Sequence, residues 1–111
     1  MPDWISRPLV EIAAALRERQ LSALELAEEA IARHDRFGDK LHAYCLWTPD
    51  RAREIARAAD AAFTAGVVVG PLQGMPVSIK DLFAAEGSLC TTLWRFGSRH
   101  SSKAIAIRLF P

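Results

Sequence analysis

Two cysteines in 111 residues, Cys45 and Cys90, are too few and too far apart for a disulfide framework. Both read as small apolar residues in a reduced compartment. A dominant charge sign is missing too. Fourteen Lys and Arg against thirteen Asp and Glu leave a net +1, which excludes a strongly electrostatic partner such as duplex nucleic acid. No hydrophobic run approaches the ~20 residues that a bilayer-crossing helix needs. The opening Met1-Pro2-Asp3-Trp4-Ile5-Ser6-Arg7-Pro8 also lacks the basic segment and apolar run of a secretory signal. The expectation is a cytoplasmic protein with no membrane segment. His34, His42 and His100 share no metal-ligand spacing with one another or with the cysteines, so no metal is expected. Gly70 and Gly74 match neither a P-loop nor a dinucleotide fingerprint, so no nucleotide cofactor is expected either. Trp4, Trp47 and Trp94 are too scattered for a base-stacking platform and read as packing residues. There are no internal repeats.

What is present fits one domain at most, with 50% hydrophobic and 24% charged residues, ordinary values for a soluble globular chain. Pro8 suits the start of a helix over 8–18, whose apolar face is Leu9, Ile12, Ala13 and Leu16. Ser22-Ala23-Leu24-Glu25 is a capping box: the serine hydroxyl accepts the amide of residue 25, whose carboxylate reaches back. It opens a helix over 22–37 with Leu24, Ala27 and Ile31 as its stripe and Gly38 as its stop. These two helices form an amphipathic hairpin. The run 41–47 is short, apolar on both faces and aromatic-rich, which predicts a buried strand. Thr48-Pro49 then reads as an N-cap and first-turn proline for a helix over 49–65, with Ala52, Ile55, Ala56, Ala59, Ala62 and Phe63 on one face and Gly66 at its end. A glycine-proline segment follows, then a second short strand over 77–80. Strand, helix and strand make a βαβ unit, parallel with a right-handed crossover. The fold class is α/β: a helical hairpin followed by a βαβ unit. Two strands leave open edges that favour association with a second chain or another copy.

Lys80 stands out. It ends an apolar strand behind a loop of residues that fix or free the backbone, and ligand sites gather at the carboxyl ends of parallel strands. Ser78 lies two residues earlier and shares a strand face with it, but no oxyanion-stabilising donors accompany the pair, so Ser78 reads as a packing residue.

Gly70-Pro71-Leu72-Gln73-Gly74-Met75-Pro76-Val77-Ser78-Ile79-Lys80-Asp81-Leu82-Phe83 resembles the amidase signature family, whose members share a G-P-L-x-G-x-P-x-x-x-K-D segment. The resemblance extends upstream to the helix pair and Ala58-Ala59-Asp60-Ala61-Ala62, and downstream to Thr91-Thr92 and Gly97-Ser98. It implies a fragment of the family's mixed-sheet fold and hydrolysis of small carboxylic amides by a Ser–cis-Ser–Lys triad, without metal or cofactor. It makes Lys80 the catalytic lysine. That role needs burial, because a reference pKa near 10.4 leaves only about one lysine in 2,500 neutral at pH 7. Asp81 is expected to position the strand end through hydrogen bonds rather than to pair with Lys80, which would hold the amine protonated.

The pattern then departs from the family. The Gly/Ser-rich loop that carries both serines in relatives has no counterpart after Lys80. Ser101-Ser102 sits among basic residues rather than glycines. After Glu86 no acidic residue follows, while Arg95, Arg99, Lys103 and Arg108 do. The expected organisation is residues 1–98 as the N-terminal part of an amidase-type domain, truncated before the serine loop, and 99–111 as a divergent basic tail; the alternative reading is a non-catalytic interaction module, its helix hairpin docking on another chain, or an inert truncated product.

Overall fold

A computed structural model describes residues 3–44, 46–79 and 108–109. Its order is α1 (Leu9–Arg17), α2 (Ala23–Leu41), α3 (Pro49–Thr64), β1 (Pro76–Val77) and β2 (Arg108–Leu109). All three expected helices are present, with ends shifted by at most four residues.

α1 buries Ile12, Ala15 and Leu16, an i, i+3, i+4 stripe. Leu9, expected on that face, lies in the first turn and is 62% exposed. The helix closes with Gln20 N–H donating to the Ala15 carbonyl (2.9 Å) and Arg19 N–H to that of Leu16 (3.3 Å). This is the paired closure that usually places glycine in the left-handed conformation. Here Arg19 occupies it, at φ 62°. α3 ends in the same way, Val67 N–H to Ala62 (2.9 Å) and Gly66 N–H to Phe63 (3.0 Å), but with the expected glycine at φ 76°.

The capping box forms as its sequence demands. Glu25 N–H donates to Ser22 Oγ (3.0 Å), and Ser22 N–H donates to Glu25 Oε2 (2.8 Å). A second cap comes from far along the chain. Asp60 on α3 accepts from Ala23 N–H (2.7 Å) and Leu24 N–H (3.1 Å), so one carboxylate satisfies the first two amides of α2 and faces the positive end of its dipole. Ala52, Ala56 and Ala59 are the buried face of α3, all at most 1% exposed. Small side chains there let the helix backbones approach closely, with Ala23, Leu26 and Ala27 of α2 in the same core. Arg53 closes the outer side of this interface, its Nε 2.6 Å and Nη2 3.1 Å from the two carboxylate oxygens of Glu28. Glu29 holds the chain start by accepting from Trp4 N–H (3.2 Å) and Ile5 N–H (3.0 Å).

The expected βαβ unit is not observed. Among the described residues of 41–47 there is no strand: α2 runs through Gly38 to Leu41, and His42 then caps it in the left-handed conformation (φ 47°), turning the chain away. Leu41 is 69% exposed rather than buried on both faces. The aromatics of the run find burial against α2 instead of in a sheet. Thr48 does precede Pro49 as N-cap, but its hydroxyl makes no cap bond; it is buried without a partner among the described residues. β1 pairs antiparallel with β2, Pro76 opposite Leu109 and Val77 opposite Arg108. A two-residue ladder antiparallel to the far end of the chain replaces the parallel pair read from the sequence. Cys45 and the expected strand position Lys80 lie outside the described residues.

Two substitutions test the distant cap of α2 and the left-handed closure of α1. Asp60→Ala strands two α2 amides, one on the fully buried Ala23, and is expected to lower stability by about 2 kcal/mol. Arg19→Gly relieves a left-handed arginine and is expected to raise stability by about 1 kcal/mol. Urea unfolding midpoints check both.

Acid is expected to loosen the same helix pair. The Glu25 carboxyl is held below its ordinary value of 4.5 by the Ser22 amide and then by the Ser22 hydroxyl. Glu28 is lowered first by its hydrogen bonds to Arg53. Carboxyls depressed in the folded state contribute stability that is complete above the unfolded value and lost as pH falls toward the folded one. Thermal midpoints should therefore hold steady above about pH 5 and drop below it, less steeply in Glu28→Gln.

Candidate functional site

The glycine-proline segment is built as a platform. Gln73 N–H donates to the Gly70 carbonyl (3.4 Å) and Met75 N–H to that of Leu72 (3.1 Å), giving two consecutive turns. Gly74 is the third residue of the second turn at φ 79°, a conformation that favours glycine. Glycine is needed there for space as well. A Cβ at Gly74 would sit 3.1 Å from Phe63 Cε2 and 3.2 Å from the Ala23 Cβ. The platform thus lies directly on the α2–α3 junction. Gln73, 3% exposed, fastens it from below: its Oε1 accepts from Val69 N–H (2.7 Å) and its Nε2 donates to the Val67 carbonyl (3.0 Å). Met75 enters the core, and the chain then leaves along Pro76, Val77, Ser78 and Ile79.

Lys80, the predicted catalytic residue, and Asp81 lie outside the described residues. What the structure gives is the path up to Lys80. Ser78 is exposed rather than packed, contrary to its reading as a packing residue. The parallel-strand argument for a ligand site at 80 has no parallel sheet behind it among the described residues, since β1 is antiparallel to β2.

Beside β1 lies a pocket of about 390 Å³ that the sequence did not announce. Pro76, Val77 and Ser78 form one wall; Phe37, Gly38 and Leu41 of α2 face them, with Tyr44 and Trp47 closing one end. The His34 ring stacks on Trp47 with centroids 3.7 Å apart and planes at 14°, and Tyr44 is tilted 5.6 Å from the same imidazole. Gly38 makes this stack possible. A Cβ there would come within 2.6 Å of His34 Nε2. The available signal was His34 and Gly38 four apart on one helix face, followed by Tyr44 and Trp47; Gly38 was read only as a stop. His34 Nδ1 is buried with no hydrogen-bond partner among the described residues, while Arg33 at the rim donates to Asp3 (3.2 Å) and Ser6 (3.2 Å). Among the described residues no group of histidine, cysteine and carboxylate side chains can hold a metal ion. No described helix is long and apolar enough to cross a membrane.

The family model described as Amidase matches residues 25–102. The chain belongs to the amidase family. This amidase-family chain is 39% identical over 87 residues to a glutamyl-tRNA(Gln) amidotransferase subunit of Sinorhizobium medicae (strain WSM419), covering 78% of the chain and 17% of that protein. It is 43% identical over 79 residues to 2-amino-5-chloromuconic acid deaminase of Comamonas testosteroni, covering 71% of the chain and 17% of that enzyme. The corresponding amidotransferase subunit of Nitrobacter winogradskyi is 43% identical over 95 residues, 86% of the chain and 19% of that protein. The chain spans less than a fifth of the length of these curated relatives.

Gly38→Ala tests the pocket wall. An alanine in a helix interior is ordinarily favoured over glycine by about 1 kcal/mol. Here the new methyl displaces the imidazole from Trp47, so the expected result is no gain or a net loss of stability. Loss of the ring-current shifts of His34 and Trp47 in NMR spectra reports the displacement directly.

Proposed function

We propose that this chain supplies the lysine of an amidase-type active site, with Lys80 as the base that activates a serine through a second serine in the hydrolysis of carboxylic amide C–N bonds. The observation that carries this reading is the family match across residues 25–102, which spans the Gly70-Pro71-Leu72-Gln73-Gly74-Met75-Pro76 platform and the Lys80-Asp81 pair beyond it. The anchoring of Gly74 and Gln73 supports it, because a general base acts only when its backbone is held in fixed register with the reacting atoms.

In this reaction the neutral lysine amine takes a proton relayed through the second serine from the nucleophilic hydroxyl. The serine oxygen then forms a bond to the amide carbon. Collapse of the tetrahedral adduct breaks the C–N bond, and the departing nitrogen receives the proton that the lysine held. Water next attacks the acyl-serine, releasing the carboxylate and restoring the hydroxyl. Every group after the first proton acceptor is read as belonging to the serine-bearing part of the family fold, outside these 111 residues. Residues 1–98 are read as the N-terminal part of that domain and 99–111 as a basic tail, acting in the cytoplasm on a small amide and without metal or cofactor. Relatives named as a deaminase and as a subunit of an amidotransferase share C–N chemistry and differ in substrate. The substrate is accordingly assigned only as a class.

The 111-residue chain on its own is expected to release no ammonia from a panel of small aliphatic and aromatic amides, because a base without its serines and oxyanion donors has nothing to activate. Coupled ammonia assays over several hours check this. Turnover abolished by both Lys80→Ala and Ser78→Ala would replace this reading with a self-contained Ser–Lys dyad.

A further inference from the structure

We propose that the segment 67–69, just beyond α3, pairs with the same segment of a second copy of this chain, antiparallel about a two-fold axis at Val68. The pairing is independent of the function proposed above and uses neither Lys80 nor Ser78. Gln73 occupies the inner edge of the segment. Its side-chain amide accepts from Val69 N–H (2.7 Å) and donates to the Val67 carbonyl (3.0 Å). A neighbouring strand bonds a strand in this way, through the residues on either side of the one it faces, so the carboxamide stands where a strand would. In an extended chain the backbone groups of successive residues point to opposite edges. Val68 therefore turns its N–H and C=O outward, and among the described residues neither has a hydrogen-bond partner. Val67, Val68 and Val69 are 48, 52 and 68% exposed, so the open edge carries three β-branched side chains that suit a strand.

Self-complementarity selects a second copy as the occupant. With Val68 opposite Val68 of the copy, each N–H meets the other's carbonyl, and both free groups are satisfied at once. The same register sets Val67 against the copy's Val69 twice, and such β-branched cross-strand pairs are favourable. Charge offers no obstacle. Edges that must stay single are commonly guarded by lysine or other charges, yet no charged residue lies between Asp60 and Lys80, and the whole chain carries only +1. The pairing closes at two copies. Gln73 fills the inner edge in each, and Pro71 has no N–H with which to extend the ladder. Three residues a side bury far less than the ~800 Å² per partner of a standard interface, so the dimer is transient and fills only at high protein concentration.

The test is sedimentation of the 111-residue chain over a concentration series, with amide hydrogen exchange followed at the same concentrations. The expected result is a monomer–dimer equilibrium. Exchange at Val68 N–H slows as the dimer fills, while that at Val69 N–H, already bonded to Gln73, stays constant. Val68→Lys and Val68→Glu each weaken association by about tenfold or more, because like charges then meet directly opposite one another. An equimolar mixture of the two variants associates more tightly than either alone, since only a two-fold at residue 68 sets the lysine of one chain against the glutamate of the other. The position is exposed, so both variants retain the helical circular dichroism of the parent. Val10→Lys, at an exposed site on α1, leaves the equilibrium unchanged. Three outcomes overturn the proposal: a monomer at every concentration, association that survives Val68→Lys (including one lost instead in Leu41→Lys), or a mixture no tighter than its components.

Discussion

The carboxylate of Asp60 is the contact on which the described structure turns. It joins residues 36 and 37 positions apart by accepting the first two amides of α2, and it does so from the C-terminal part of α3. That bond fixes the axial register of the two helices. Register in turn lets Ala52, Ala56 and Ala59 meet Ala23, Leu26 and Ala27 without a large side chain between them. Gly74 then fits above the junction only because Ala23 and Phe63 leave space for a residue with no Cβ. Cap, register, close packing and platform form one chain of dependence, and the path toward Lys80 is its last link.

The same device recurs in this small chain. Asp60 binds two neighbouring amides of α2, Glu29 binds two neighbouring amides at Trp4 and Ile5, and Gln73 bridges Val67 and Val69. In each case one polar side chain satisfies two backbone groups and ties a segment to a distant or irregular one. Large core side chains are few among the described residues: Leu16 and Leu26 are the largest that are fully buried. With so little bulk to position segments by packing, directional hydrogen bonds take over that task.

Chemistry and scaffold are divided unevenly along this chain. The described residues hold a well-anchored approach to Lys80 and an apolar pocket beside that approach. The relatives hold a further four-fifths of their length elsewhere. An amidase-type site assembled from this chain would therefore owe its base to one segment and its nucleophile to another.

The sequence by itself determined what depends on neighbours a few residues apart. The three helices, the capping box of Ser22 and Glu25, the glycine closure at Gly66 and the family motif through Lys80 were all legible, because caps, periodicity and turn residues act over one or two turns of chain. Tertiary structure decided what depends on distant partners. Asp60 entered the sequence reading only as part of the family-like segment 58–62, and its role as a cap exists only with α2 placed against it. Gly38 read as a helix stop and proved to be room for an imidazole. The run 41–47 had the composition of a strand, yet a strand exists only with a neighbour to pair with. Its aromatics found His34 instead, and no local pattern encodes which of two apolar surfaces a tyrosine and a tryptophan will reach first.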